Sequence, residues 1–458
     1  MKFLSYSPIM IALSLLSCQP SAKENKAMVR LITLDPGHFH AALVQKSMYD
    51  EIDSTVYVYA PDGPELAEHL KKIEGYNNAP QNPTHWNEQV YKGDDFLEKM
   101  LAEKRGNVVV ISGNNKSKTQ YIKKSIDGGF NVLADKPMAI DLENFELLKN
   151  TFTEASDKKI LLYDIMTERF EITNMLQREL AMIPEIFGTL QQGTAEQPAV
   201  EMESVHYFYK SVSGSILTRP SWFMDVSQQG EGIADVATHL VDLVQWGCFP
   251  GKLINYNKDI QLNSARRWST DMTLSQFSAI TKQAAFPDYL KPNVVHDTIV
   301  QVFANGEINY QLNGVFVKLV ARWDYKAPEG AGDSHNATLR GTNASIAIRQ
   351  GAEQNYKPTL YIEPAKNDAS YEAQLVEKFK QLQSAHPGLE LKKEGKGWQV
   401  VIPDKYKEGH EAHFARVTEK FLGYLKNGDL PAWEVPNMLA KYYTTTKALE
   451  IAKKTVAK

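Results

Sequence analysis

Between residues 29 and 165 short apolar runs alternate with helix-patterned segments, and nothing else in the chain restricts its fold as strongly. The run Val108-Val109-Val110-Ile111 is apolar at every position, which marks a strand buried on both faces. Similar runs stand at 29–34, 55–59, 132–134 and 159–163, with helix patterns at 117–127 and 141–155 between them. Strands that alternate with helices this way build a parallel sheet covered on both sides, so the class is α/β. In such sheets ligands sit at the carboxyl ends of the strands, where the turns carry the informative residues.

The first strand is followed by Asp35-Pro36-Gly37-His38-Phe39-His40. A dinucleotide fold puts Gly-x-Gly-x-x-Gly at this turn, and Gly37 alone is in register, as the glycine that lets backbone approach a pyrophosphate. Gly37, His38, Phe39 and His40 are therefore candidate cofactor contacts. Two histidines without a nearby third ligand do not make a metal site, so no metal is expected. Asp62, just past the second strand, is a candidate for the ribose hydroxyls, with a plain turn aspartate as the alternative. Ser112 ends the strand at 107–112 and Asn114 and Asn115 follow it, at the strand end where ligands sit, so all three are further cofactor candidates. The next strand ends in Asp135-Lys136-Pro137, where Pro137 stops the pairing.

A second element lies far downstream, at Gly230-Glu231-Gly232-Ile233-Ala234-Asp235-Val236-Ala237-Thr238-His239. Two glycines lead into a helix on which Asp235 and His239, four apart, share a face. A carboxylate beside an imidazole orients the ring and favours its protonated form, the wiring of a general base; on spacing alone the plainer reading is a satisfied buried histidine and a helix-start carboxylate near the dipole. The Asp-Lys-Pro turn and the glycine-led Asp-x-x-x-His helix, in this order, resemble the Gfo/Idh/MocA oxidoreductase family, whose members carry Glu-Lys-Pro at the first position. The likeness runs from about residue 29 onward. It implies an N-terminal Rossmann dinucleotide-binding domain followed by an α+β domain with a large open, mainly antiparallel sheet. It also implies NAD or NADP as cofactor, contacted by Asp135 and Lys136, and Lys136, Asp235 and His239 as catalytic residues. In that reading Lys136 stabilises the reacting oxygen, His239 takes the hydroxyl proton and Asp235 holds His239. The family's Thr-Pro-Asn-x-x-His turn survives here as Asn115, with Lys118 in place of the histidine.

The remaining segments follow from pattern. Residues 75–93 read as a polar loop. Arg169-Phe170 stands where family members cross to the second domain; Arg169 is a substrate-binding candidate with a structural role as its alternative. The aromatic stretch 205–225 suits a sugar site, since rings stack on apolar sugar faces and polar tips bind hydroxyls. Its candidates for substrate are His206, Tyr207 and Trp222; a half-buried hairpin is the plainer reading. Strands are expected at 298–303, 307–312, 315–321, 337–339 and 344–348, with Asn305-Gly306 as a hairpin turn. His335 lies in a glycine-rich loop with a site role as the lesser alternative. From about residue 371 an appended helical region is expected, with a hairpin at Gly395-Lys396-Gly397 and His410-Glu411-Ala412-His413 read as structural.

The chain has 458 residues, 43% hydrophobic and 23% charged, and a net charge of −4, which argues against a nucleic-acid partner. Residues 9–16 are apolar but too few to span a bilayer. They end in Leu15-Leu16-Ser17-Cys18, which resembles a bacterial lipobox, so Cys18 is the expected lipidation site, with a plain secretory signal cleaved elsewhere as the alternative. The expected division is 1–27 signal peptide and tether, 28–165 Rossmann domain, and 166–458 substrate and oligomerisation domain. An exported, periplasmic, membrane-anchored lipoprotein is expected, touching the membrane only through its lipid. With Cys18 modified, Cys248 is left without a disulfide partner.

The resemblance implies an NAD(P)-dependent enzyme acting on a hydroxyl of a sugar or glycoside. Outside the cytoplasm no free nicotinamide pool exists, so the cofactor is expected to be held tightly and recycled in place. Two alternatives stand beside it: a redox-neutral glycoside-cleaving enzyme that oxidises, eliminates and reduces with one cofactor, and a non-catalytic sugar-binding lipoprotein. The open sheet is expected to pair with another copy, giving a homo-oligomer.

Overall fold

The computed structural model describes residues 29–212, 215–366 and 368–455. Cys18 and the expected signal segment lie outside the described residues. No helix among the described residues is long and apolar enough to cross a membrane.

The first sheet has six parallel strands: β1 (Leu31–Leu34), β2 (Thr55–Ala60), β3 (Asn87–Lys92), β4 (Val108–Ile111), β5 (Asn131–Asp135) and β6 (Leu162–Ile165). Their order is β3-β2-β1-β4-β5-β6, so the winding reverses between β1 and β4, the crevice where such sheets bind ligands. All four residues of β4 are buried, as a strand covered on both faces requires. β3 corrects the expectation of a loop across 75–93: it is an edge strand of polar residues, most of them exposed, and so carries no apolar signal.

The second sheet has ten strands. β7 (Val200–Tyr209) pairs parallel with β13 (Val315–Lys326), and the other pairings are antiparallel. β10 (Ile260–Thr273), β12 (Ile299–Leu312), β14 (Ser334–Arg340), β15 (Ala344–Arg349) and β16 (Thr359–Pro364) continue it, and β11 (Val294–Val295) pairs with β12. A separate pair, β8 (Ser211–Val212) and β9 (Ser215–Ile216), stands apart. Asn305-Gly306 is not a turn: both residues lie inside β12, and the reversal comes at Asn313 and Gly314, which have φ of 51° and 80°. Gly306 is required for another reason. A Cβ there would come within 2.1 Å of the Ile233 side chain, so the helix Gly232–Asp235 rests directly on the strand.

The region after 371 is more than appended helices. β17 (Glu390–Glu394) and β18 (Gly397–Val401) form the expected hairpin and become the outer edge of the large sheet. The helix His410–Asn427 returns to the first domain, where Phe414, Val417, Phe421 and Leu422 join its core. The last helix, Glu434–Thr455, runs between the two domains and ties them through buried charges. Arg169 donates to Asp242 at 2.6 and 2.7 Å and to Glu434 at 3.0 and 3.2 Å. Lys441, fully buried, lies 2.6 Å from Asp164 and 2.8 Å from Asp242. Arg169 is thus held in the domain junction and does not line the cavity described below.

Candidate active site

The parallel register sets Leu34 beside Ile111 and Ile111 beside Ala134, so the residues that follow stand together at one sheet edge. Gly113 lets these turns meet: a Cβ there would fall 2.3 Å from the Asp35 carbonyl oxygen. Asp135 is buried, and its Oδ2 accepts from Ser112 Oγ at 2.9 Å. The same oxygen lies 3.0 Å from His40 Nδ1 and 3.5 Å from His38 Nδ1. The premise that the two histidines lack a nearby third ligand is therefore corrected: Asp135 is that neighbour, brought from β5 by the sheet. Lys118, buried, donates to the Asp135 carbonyl oxygen at 3.0 Å.

Lys136 follows at the end of β5, and the Lys136–Pro137 bond is cis. Its Nζ donates to Asp235 Oδ1 at 2.6 Å, and Asp235 Oδ2 accepts from Gln229 Nε2 at 3.2 Å. Burial pulls the Lys136 ammonium down, but Asp235 and Asp135 outweigh it and its pKa stands above the ordinary lysine value. Asp235 is likewise held below the usual carboxylate range by Lys136, against the opposing effect of burial. Asp235 therefore orients Lys136 and not His239, as the sequence spacing had suggested. The helix tightens between them, because the His239 amide donates to Val236, three residues back, instead of four. That tighter turn rotates His239 off the face of Asp235.

His239 Nδ1 is buried and has no hydrogen-bond partner among the described residues. Burial, then the Lys136 charge, pushes its pKa well below the usual histidine value. A neutral imidazole is the form that accepts a proton.

Lys136, Asp235 and His239 border one cavity of about 520 Å³ between the two domains, together with His38, Phe39, His40 and His206. The far wall is β7 and the loop before β14. His206 stacks on Trp323 at 5.0 Å between ring centres, and its Nδ1 lies 2.9 Å from Asp333 Oδ2. Lys210 donates to the same oxygen at 2.5 Å. Four cavity residues had no motif to announce them: Glu168, Glu171, Lys210 and Asp333. Glu168 is pushed up to about 7 by burial and then by Glu171, against the pull of Lys136. His335 lines the cavity, and His410 does so as well, contrary to its reading as purely structural.

The other candidates stand around this cavity without lining it. Tyr207 alternates to the opposite side of β7 from His206, and its amide donates to Asp333 Oδ1 at 3.2 Å. Trp222 lies over the first turn, with Cζ2 3.4 Å from where a Gly37 Cβ would be. Asn114 caps its helix by accepting from the Lys116 amide, and donates to Gln228 Oε1 at 2.8 Å. Asn115 donates to the Gln229 carbonyl oxygen at 2.6 Å, so both asparagines join the domains. Asp62 is exposed and lies 3.2 Å from Lys92.

A nicotinamide nucleotide fits this crevice at its reactive end. His239 Nδ1 and Gln229 Oε1, on two residues that line the cavity, are buried polar atoms lacking a partner among the described residues, and the carboxamide of a nicotinamide supplies complements to them. The diphosphate end departs from the usual cradle. The Gly37 and His38 amides already donate to the Asp35 and Ser112 carbonyl oxygens at 2.8 and 3.2 Å.

Residues 37–163 match the family model described as "Oxidoreductase family, NAD-binding Rossmann fold". Residues 176–453 match that of the "Putative oxidoreductase C terminal domain". No curated protein matches the chain. Among solved structures, a "putative oxidoreductase" of Parabacteroides merdae is 55% identical, with a TM-score of 0.92 over 94% of this chain and 98% of that one. A "putative myo-inositol dehydrogenase" of Sinorhizobium meliloti is 13% identical, with a TM-score of 0.53 over 93% of this chain and 98% of that one. GenD2 from gentamicin A biosynthesis, in complex with NAD, is 14% identical, with a TM-score of 0.54 over 93% and 96%.

Proposed function

The chain belongs to the Gfo/Idh/MocA oxidoreductase family, with its NAD-binding Rossmann fold, and we propose that it oxidises or reduces a carbon–oxygen centre of a sugar, cyclitol or glycoside. The observation that carries this is the placement of an ammonium and a neutral imidazole on one cavity wall, Lys136 and His239. A bound nicotinamide would supply the hydride acceptor or donor, held on the side of Gly37, His38 and Lys136. Lys136, fixed by Asp235, donates to the reacting oxygen and stabilises negative charge as it develops there. His239, uncharged, takes the hydroxyl proton in oxidation and returns it in reduction. The opposite wall supports a polyol ligand. Glu168, His206, Lys210 and Asp333 offer donors and acceptors, and Trp323 gives an apolar surface. The names of two structural relatives, a "putative myo-inositol dehydrogenase" and "GenD2 from gentamicin A biosynthesis", support such a substrate.

Glu168 favours a second reading. A cavity carboxyl with its pKa near 7 still holds a proton at neutral pH, which suits protonation of a leaving group in redox-neutral glycoside cleavage. The proposal extends to the address and assembly of the protein. A lipidated Cys18 puts the enzyme outside the cytoplasm with its dinucleotide held and recycled, and the open face of the large sheet pairs with a second copy.

Purified protein incubated with a panel of sugars, cyclitols and glycosides, with the dinucleotide followed throughout, tests the reading. Net change in cofactor absorbance supports dehydrogenation. Glycoside cleavage with no net cofactor change supports the second reading. No dinucleotide binding and no turnover with any member contradicts both.

A further inference from the structure

We propose that His38, His40 and Asp135 form a site for a divalent transition-metal ion of the zinc class, on the floor of the cavity beside Lys136. The three side chains come from the segment after β1 and from the end of β5, with 95 residues separating His40 from Asp135, and the sheet edge brings them together. Their donor atoms, both Nδ1 and a carboxylate oxygen, all lie within 4.8 Å of one another. Ligands at about 2.0–2.1 Å from a tetrahedral centre stand about 3.3 Å from each other. The two histidine-to-carboxylate separations, 3.0 and 3.5 Å, bracket that edge length.

Hydrogen bonding alone leaves the cluster unfinished. Both imidazoles turn Nδ1 toward Asp135 Oδ2, which Ser112 Oγ also approaches at 2.9 Å. His40 makes its bond, whereas His38 Nδ1, at 3.5 Å, is buried without a partner among the described residues. An ion held by both nitrogens and the carboxylate satisfies all three. Two imidazoles and one carboxylate suit zinc and its neighbours rather than calcium or magnesium, which prefer oxygen ligands. His38 and His40 line the cavity, so the remaining coordination position faces it. Three protein ligands with one open position is the arrangement of catalytic zinc, and the open position takes an oxygen ligand from the cavity. Ser112 plays the orienting role, since it donates to the ligating carboxylate.

The test counts metal and needs no substrate, so it stands apart from the oxidoreductase reading. Purified full chain is incubated with excess zinc chloride, desalted, and its zinc measured by mass spectrometry. One ion per chain is expected in the parent protein and in His386→Ala, a histidine remote from this cluster that pairs with Glu179. His40→Ala, His38→Gln and Asp135→Asn are expected to weaken zinc binding by more than about 100-fold, and Ser112→Ala by about 10–100-fold. Circular dichroism identifies any variant that fails to fold, and the folded ones among the four carry the comparison. Failure of the parent to retain zinc overturns the proposal. So does retention that is equal across the folded variants or lost in His386→Ala.

Discussion

Lys136 Nζ lies 2.6 Å from Asp235 Oδ1, and this contact joins the end of a strand in the first domain to a helix of the second. Without Asp235 the Lys136 ammonium would be buried with only Asp135 and, more weakly, Glu168 to favour its charge. Asp235→Asn is therefore expected to lower the Lys136 pKa and cut kcat by about 10²–10³-fold, the scale seen when one preorganised charge-stabilising donor is lost. The pH dependence of kcat in the variant checks this: a new decline toward high pH, earlier than in the parent, is expected.

Gly232 lets the helix Gly232–Asp235 sit on β12. A Cβ there would come 1.9 Å from the Ala304 carbonyl oxygen, and Gly306 answers it across the contact by accommodating Ile233. Gly232→Ala must push the helix outward. We expect a loss of about 1–3 kcal/mol from overpacking, and a larger loss of activity because Asp235 moves with the helix. Urea unfolding and turnover measured on the same preparation separate the two effects.

The domain junction depends on charges buried away from the surface. Arg169 and Lys441 hold Asp242 well below the usual carboxylate range, against burial, which would raise it. A depressed carboxyl contributes stability that is present above its unfolded pKa, about 3.9, and is lost as pH falls through the folded value. Lys441→Met leaves Asp164 and Asp242 short of a partner, and a loss of about 3–5 kcal/mol is expected at neutral pH. Chemical unfolding at neutral pH gives that number. In Asp242→Asn the part of the acid destabilisation due to this carboxyl should disappear.

Glu168 has the opposite sign. Its pKa is raised to about 7, so it is protonated below that pH and ionises above it. If the leaving-group role holds, glycoside cleavage declines as pH rises through about 7 in the parent, and Glu168→Gln removes that limb. A limb that survives the substitution assigns it to another group.

The legible parts of this molecule were those with a one-dimensional signature. β4 declared itself because a doubly covered strand must be apolar throughout. β3 did not, since an edge strand facing water needs no apolar residue, and β10 escaped for a similar reason along much of its length. Asn305-Gly306 misled because its glycine answers to the Ile233 side chain lying on the strand, a tertiary cause absent from local sequence. Within the site, Lys136, Asp235 and His239 were legible as a set, but their pairing was not. An i,i+4 spacing pointed Asp235 at His239, and the buried ammonium from another domain captured it instead. His410 and Asp333 carry no motif and reach the cavity only through packing.

The most direct test is one comparison of the parent with His239→Ala under saturating NAD(P), using the best substrate found in the panel. Dinucleotide affinity is measured by fluorescence, and the rate of cofactor reduction by absorbance. Affinity within about twofold of the parent is expected, with a rate reduced by about 10²–10⁴-fold, the usual contribution of a positioned general base. An unchanged rate in His239→Ala would contradict it.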